Sequence, residues 1–465
     1  MSTISHLLKS VVVAVASASM LHAAPAETEQ ERNGRMQWWR DGKFGMFIHY
    51  GLYSGLAGEV DGRKYDGCVE WIQNMAGLDS DSYAAKALPL FKPQRGCAKA
   101  WVELARDAGC KYIVLTSKHH EGFALFDSKA SEFNSVKATG ADIVKEYAEA
   151  CRANGIKTGY YYSLLDWHHP DYDGKLALSR GISYPSGNLK THRFGNHDAY
   201  KAFLKRQIGE LTSNYGAVDL IWWDFSSRGF QGDEAWGASD LLRMVRDKHP
   251  QVVMNNRLYD AATVKDHGPM TATAREKGDF TTPEHYIPEK GVRGDWEACM
   301  TLNGTWGYSA TNNDWKTPEV LVRQLADTVS RGGNFLLNLG PKADGSIPEE
   351  SVRLFQAIGA WMKINQEAIY GTTASPFAEP FPWGVVTGKG DALYLIMYEM
   401  PKDGILKLPY AMQGSPSAQA LADGSSVPVR QEEGGTVLDV SKIRMMPCAT
   451  VVKLAGKGEV LPMRQ

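Results

Sequence analysis

From residue 43 to residue 339 short apolar runs alternate with longer amphipathic ones, and this alternation restricts the fold more than any other feature of the chain. The runs at 43–51, 111–116, 157–163, 218–225, 252–256 and 333–339 are too short for helices and read as buried strands. The segments at 279–284 and 295–299 read as two further strand ends. Between them, 98–108, 142–153, 199–215, 239–248 and 317–330 carry helical periodicity, several stopped by Gly or Asn-Gly. Alternation of strand and helix predicts an α/β parallel sheet closed into a (β/α)8-like, TIM-type barrel. A helix over 348–369 follows. Beyond about residue 374 the pattern changes to short alternating segments (393–398, 405–408, 436–440, 449–454) set off by Gly, Pro and Asp, which predicts a small C-terminal antiparallel β-sandwich. The expected division is therefore 27–373 for the barrel and 374–465 for the sandwich.

The first 26 residues stand apart. Lys9, an apolar stretch over 11–21 and Ala24-Pro25-Ala26 have the three-part form of an export signal, with an apolar run too short to span a bilayer. The expectation is a protein exported to the periplasm or secreted, cleaved after residue 26. Six scattered cysteines without C-x-x-C spacing suggest buried thiols rather than a disulfide framework. A net charge of −2 with 22% charged residues gives no electrostatic bias toward nucleic acid or an anionic membrane.

In a closed barrel the chemistry sits at the C-terminal ends of the strands. The run V-D-L-I-W-W-D-F at 218–225 puts one carboxylate, Asp224, at such an end, where it is a candidate nucleophile or, alternatively, a cap for the turn that follows. Polar groups gather at other strand ends: His49, the pair His119-His120, Arg257, Glu284 and Glu297. Adjacent histidines on a strand face opposite ways, and no H-E-x-x-H or H-x-H spacing occurs, so no metal or other cofactor is expected. No G-x-S-x-G elbow supports Ser-His-Asp chemistry, and no Gly-rich loop has phosphate-binding spacing. Carboxylates, histidines and tryptophans remain, which is the inventory of a glycosidase: one carboxylate attacks the anomeric carbon and another protonates the leaving oxygen.

Five blocks then occur in order: K-F-G-M-F-I-H-Y-G (43–51), S-K-H-H-E-G-F-A-L-F (117–126), G-Y-Y-Y-S-L-L-D-W (159–167), D-L-I-W-W-D-F (219–225) and R-G-G-N-F-L-L-N-L-G-P-K-A-D-G-S-I-P (331–348). Together they resemble the α-L-fucosidases of glycoside hydrolase family 29. The resemblance implies a barrel with a C-terminal β-sandwich, retaining hydrolysis without a metal, and fucosylated oligosaccharides or glycoproteins as substrates. It makes Asp224 the nucleophile and matches His49, His119, His120, Tyr162, Trp222 and Arg257 to sugar-binding positions. Glu70-Trp71 resembles the family's E-W pair, and Trp306 an aromatic that packs on the fucose methyl group. Many members carry Gly after the nucleophile; Phe225 stands here. The acid/base is expected at Glu284, in a looser segment able to swing over the leaving group, with Glu297 as the alternative. Two other readings remain at this point: a retaining barrel glycosidase for another sugar, such as a galactosidase, and a carbohydrate-binding protein without catalysis.

Overall fold

The computed structural model describes residues 27–174, 176, 195–227, 229–259 and 277–457, so the segment read as an export signal lies outside the described residues. Seven strands, β1 (Phe44–Ile48), β2 (Tyr112–Lys118), β3 (Lys157–Ser163), β4 (Leu220–Asp224), β5 (Val253–Met254), β6 (Glu297–Met300) and β7 (Asn334–Leu339), are hydrogen-bonded in the order β5-β4-β3-β2-β1-β7-β6. All neighbours are parallel. The gap between β5 and β6 is filled by residues 279–285. Asn255 bridges Phe280 on one side, while Thr281 bridges Trp296 and Glu284 bridges Cys299 on the other, all parallel, which closes the ring. Pro283 has no N–H to give to a ladder, the physical reason this eighth position is a chain of bridges and not a regular strand.

Both faces of the strands are buried, and their side chains alternate between two cores. Phe47, Val114, Tyr161, Leu220, Trp222 and Leu336 pack together inside the barrel. Their chain neighbours, including Met46, Ile113, Tyr162, Ile221, Trp223 and Leu337, pack outward against the helices. The longer helices are α1 (Glu29–Gly42), α2 (Cys97–Ala108), α3 (Ile143–Asn154), α4 (His197–Asn214), α5 (Ala238–Lys248), α6 (Pro318–Ser330) and α7 (Glu349–Asn365). Local signals set their ends. Asp142 caps α3 by accepting from the Lys145 N–H, and Gly155 terminates it in the left-handed conformation. Gly45 serves the interior: a Cβ there would stand 2.4 Å from the Tyr112 ring. Its absence lets that ring cross the barrel floor, where the hydroxyl donates to Glu297.

The C-terminal part is a sandwich of two antiparallel sheets. One contains β8 (Gly384–Lys389), β9 (Ala392–Met397), β15 (Thr450–Lys457), β11 (Gln413–Ala420) and β12 (Ser426–Val427); the other contains β10 (Ile405–Leu408), β14 (Gly435–Asp439) and β13 (Val429–Glu432). Leu393, Leu395, Leu406, Leu438 and Val452 form the core between them. Trp361 of α7 donates to the Ala449 carbonyl at 2.8 Å, tying sandwich to barrel. No helix among the described residues is long and apolar enough to cross a membrane. All six cysteines are free, four of them buried.

Helix α1 closes the floor of the barrel at its weakest seam. Arg35 makes two bonds to Asp279, at 2.8 and 3.0 Å, and donates to the Val252 carbonyl at 2.8 Å. Arg32 donates to the Asp279 carbonyl and to Asp295, each at 2.8 Å, and Arg40 grips Asp295 at 2.7 Å. Asp279 is fully buried, and Arg246 of α5 also reaches it at 3.2 Å. Removing one partner of a buried ion pair leaves the other uncompensated. Asp279→Ala is accordingly expected to lower stability by about 3–5 kcal/mol in chemical denaturation. Asp240→Ala, which breaks exposed pairs with Lys205 and Arg243, should barely move the midpoint.

Candidate active site

At the C-terminal ends of the strands the inward-facing residues enclose a cavity of about 270 Å³. Strand β4 has a period of two, so Leu220, Trp222 and Asp224 share the interior face and Asp224 stands last, at the cavity. Its carboxylate is hydrogen-bonded on both oxygens. Oδ1 accepts from Arg257 Nη1 at 2.7 Å and from the Phe225 N–H at 2.9 Å; Oδ2 accepts from the Tyr161 hydroxyl at 2.9 Å. Burial pushes the carboxyl up from its ordinary range, against the opposing pull of Arg257.

Arg257 holds a second carboxylate with its other arm. Nη2 donates to Glu284 Oε2 at 2.8 Å and Nε donates to Thr282 Oγ1 at 2.6 Å, while the guanidinium lies 4.2 Å from the Trp222 ring centre. Burial alone would ease the proton off Arg257, but Asp224 and Glu284 outweigh it and raise its pKa. One planar fork therefore fixes two carboxylates as close neighbours. They differ in access: the Asp224 side chain is 12% exposed and that of Glu284 29%.

The opposite group is imidazole and indole. His49 Nδ1 lies 2.7 Å from Asn338 Oδ1, and Asn338 Nδ2 donates to the Trp306 carbonyl at 2.6 Å. Since Asn338 spends its amide hydrogens on Trp306, its oxygen accepts from Nδ1–H, and His49 Nε2 is left as an acceptor. Burial lowers the His49 pKa to about 3 and those of His119 and His120 well below the usual value, so all three are neutral. Glu70 sits on the 3-10 turn Val69–Trp71; its Oε2 accepts from the Gly307 N–H at 3.2 Å, and burial pushes its carboxyl up to about 7. Glu70 Oε1, His119 Nδ1 and both His120 ring nitrogens are buried with no partner among the described residues. Buried polar atoms are nearly always paired, so Glu70 Oε1 and His119 Nδ1, on residues that line the cavity, are available to a polar ligand there.

A match to the α-L-fucosidase family model extends over residues 11–367. The chain belongs to the α-L-fucosidases. It is 31% identical to the human plasma α-L-fucosidase over 443 residues, covering 88% of this chain and 87% of that protein. Among solved structures, α-L-fucosidase isoenzyme 1 from Paenibacillus thiaminolyticus superposes with a TM-score of 0.80 at 35% identity, covering 92% of this chain and all of that one. A family 29 α-L-fucosidase from Bacteroides thetaiotaomicron, solved as a trapped covalent intermediate with 2-fluoro-fucosyl fluoride, matches with a TM-score of 0.78 at 28% identity, covering 91% and 96%. The enzyme is thus an α-L-fucosidase of glycoside hydrolase family 29, and the galactosidase and non-catalytic readings fall away.

Of the residues expected to bind the sugar, His49, Glu70, Trp71, His119, Trp222, Arg257 and Trp306 line the fucosidase cavity together with Asp224 and Glu284. Tyr162 does not. It faces outward, donates to Gln207 Oε1 of α4 at 2.6 Å and lies under Lys118. Tyr161 takes the inward position. Three consecutive tyrosines carry no apolar-polar phase, and a slip of one residue on a strand exchanges the faces. His120 is fully buried behind the wall, with ring centres 4.1 Å from Trp167 and 4.6 Å from Trp71. Glu297 lies beneath the cavity, where it accepts from Trp222 Nε1 at 3.1 Å and from the Tyr112 hydroxyl, and burial raises its carboxyl to about 7. It is not among the residues that line the cavity. The sequence reading missed Tyr161, Asn338, Cys68 and His285; for Asn338 the phase of β7 was a usable signal, because Asn338 pairs in register with Phe47, which shares its strand face with His49 two residues on.

A larger crevice of about 590 Å³ lies between the barrel and the sandwich, lined by Arg293, Arg331, Glu379 and Phe381 among others. It contains none of the carboxylate constellation.

The two tyrosines separate in a simple test. Tyr161→Phe removes a bond to the Asp224 carboxylate and is expected to lower kcat/KM on 4-nitrophenyl α-L-fucoside about 10- to 100-fold, since a hydrogen bond to a charged group contributes about 1.5–3 kcal/mol. Tyr162→Phe should leave kcat/KM near the wild-type value and lower only the thermal midpoint.

Proposed function

We propose that this α-L-fucosidase removes terminal α-L-fucose from fucosylated oligosaccharides or glycoproteins by double displacement, with Asp224 as nucleophile and Glu284 as acid/base, and that it does so after export. The observation that carries the mechanism is the single Arg257 fork shared by Asp224 and Glu284. Retaining glycosidases hold their carboxyl groups about 5–5.5 Å apart, whereas inverting ones leave about 6.5–9.5 Å for an intervening water. A pair held on one guanidinium fits the first arrangement. The covalent intermediate trapped in the Bacteroides enzyme, obtained with a Glu-to-Gln mutant, supports the same division of labour.

In the first step an Asp224 oxygen bonds to the anomeric carbon as the glycosidic C–O bond breaks, and the leaving oxygen takes its proton from Glu284. In the second, water attacks the same carbon, Glu284 takes the water's proton, and the Asp224 ester bond breaks to release fucose. Arg257 and the Tyr161 hydroxyl hold the attacking carboxylate in line. Neutral imidazoles and the Trp222 and Trp306 faces orient the sugar without adding charge near the oxocarbenium-like transition state.

Asp224→Ala is expected to abolish turnover of 4-nitrophenyl α-L-fucoside, with azide restoring a fucosyl azide of inverted configuration. Glu284→Ala should keep much of its glycosylation rate on that activated substrate yet lose about 10²- to 10⁴-fold on a fucosylated oligosaccharide, whose leaving oxygen needs the proton. Azide then gives the retained product, because it attacks the covalent intermediate. Near-normal turnover by Asp224→Ala, or the leaving-group dependence appearing in Glu297→Ala instead, overturns the assignment. Export rests on the Lys9, apolar-run and Ala24-Pro25-Ala26 pattern. N-terminal sequencing of the native protein should begin near Glu27; Met1 retained on a cytoplasmic species contradicts it.

A further inference from the structure

Strand β4, which ends in Asp224, is held differently by its two neighbours. Toward β3 the ladder runs to the end: Tyr162 pairs with Trp223, Ser163 pairs with Asp224, and the Leu164 N–H donates to the Asp224 carbonyl at 3.0 Å. Toward β5 the register pairs Leu220 with Val253 and Ile221 with Met254. The last backbone rung on that side among the described residues is a long one, 3.4 Å from the Asn255 N–H to the Ile221 carbonyl. Trp223, the residue before Asp224, lies beyond it.

There the side chain of Asn255 takes over from the backbone. Its Oδ1 accepts from the Trp223 N–H at 3.0 Å and its Nδ2 donates to the Trp223 carbonyl at 3.0 Å. A carboxamide carries the same acceptor and donor types as a peptide group, so it can close the rung a main chain would otherwise close. Asn255 is wholly buried, and in a dry interior such a pair of bonds is directional and costly to lose.

The main chain of the same segment reaches the opposite way. Asn255 bridges Phe280, and the Asn256 N–H donates to the Phe280 carbonyl at 3.0 Å. Two residues after Asn255 stands Arg257, which grips Asp224, Glu284 and Thr282. Residues 255–257 therefore span from the strand that ends in Asp224 to the segment that carries Glu284. An arginine has a long stem, and its fork is only as well placed as the backbone that bears it. On the reading that Asp224 is the nucleophile and Glu284 the acid/base, we propose that Asn255 is a positioning residue: by pinning both main-chain groups of Trp223 it locks the Arg257 segment in register with β4 and so fixes the two carboxylates relative to each other. Asn255 is not among the residues that line the cavity, and it acts through Trp223 and Arg257.

The test follows the attack of Asp224 directly, by intact-mass measurement of labelling with 2-fluoro-fucosyl fluoride, whose fluoride leaves as the Asp224 oxygen bonds to the anomeric carbon. Wild type should be labelled at Asp224. Asn255→Ala, assayed well below its thermal midpoint, should be labelled about 10- to 100-fold more slowly at saturating reagent, the scale on which a misplaced reacting group loses rate. The half-saturating concentration should change little, and kcat on 4-nitrophenyl α-L-fucoside should fall by a similar factor. Asn134→Ala is the control for a purely structural role: Asn134 is buried and donates to the Ser128 and Ser131 carbonyls at 3.2 and 2.7 Å. Its loss should lower the thermal midpoint and leave the labelling rate unchanged. Asn255→Asp supplies the conservative rescue. While neutral, the acid both accepts from the Trp223 N–H and donates to its carbonyl; once ionised it has no proton to give. Its labelling rate relative to wild type should therefore be highest at acid pH and fall as the pH rises.

Labelling of Asn255→Ala at the wild-type rate overturns the proposal, as does an equal slowing in Asn134→Ala, which would mean general loosening of the fold. Should Asn255→Ala fail to fold, Asn255→Asp decides: a relative rate that falls with rising pH supports positioning, and a flat or rising one refutes it. Absence of label on Asp224 in the wild type would instead strike at the nucleophile assignment, so the two failures are distinct.

Discussion

The buried pairing of Arg35 with Asp279 is the constraint on which the closed barrel depends. Seven strands make continuous ladders, but the eighth position carries Pro283 and is joined to its neighbours by separate bridges. A seam of that kind leaves the floor open to fraying, and Arg32, Arg35 and Arg40 of α1 cover it by gripping Asp279 and Asp295. Such an ion pair is costly to bury and costlier to break, so its worth lies in fixing one arrangement. The arrangement matters because the clamped segment ends in Glu284. The helix on the floor thus determines where a carboxylate stands at the mouth.

At the mouth a second buried guanidinium repeats the device with a different result. Arg257 shares its charge between Asp224 and Glu284 and keeps both from drifting. Around them the enzyme keeps its histidines neutral by burial and leaves polar atoms of Glu70 and His119 unpaired. The site is therefore strained in the electrostatic sense before substrate arrives, and a sugar's hydroxyls relieve that strain. Preorganised polar groups in a dry cavity are how an enzyme avoids reorganising at the moment of reaction.

Much of this was legible in the chain. The alternation of strand and helix signals specified a parallel barrel, because buried strands and amphipathic helices have different periods that survive in the order of residues. Asp224, His49, His119, Trp222 and Arg257 were visible as chemistry-bearing side chains at strand ends. The short C-terminal strands 405–408 and 392–397 fell close to their expected places, while Gln413–Ala420 and Val429–Glu432 went unseen because their exposed, polar sequences lack apolar alternation.

By itself the sequence determined which residue types reach the barrel's mouth, since two-residue alternation and strand ends are local properties. Only the tertiary structure decided which of several like residues face inward. Tyr161 rather than Tyr162 meets the carboxylate because strand phase depends on pairing with β2 and β4, and Glu284 rather than Glu297 opens to the cavity because the two lie at different heights on neighbouring segments. His120 is withdrawn behind the cavity wall for the same kind of reason: a ring's surroundings come from distant parts of the chain, and a single residue's neighbours in sequence do not contain them.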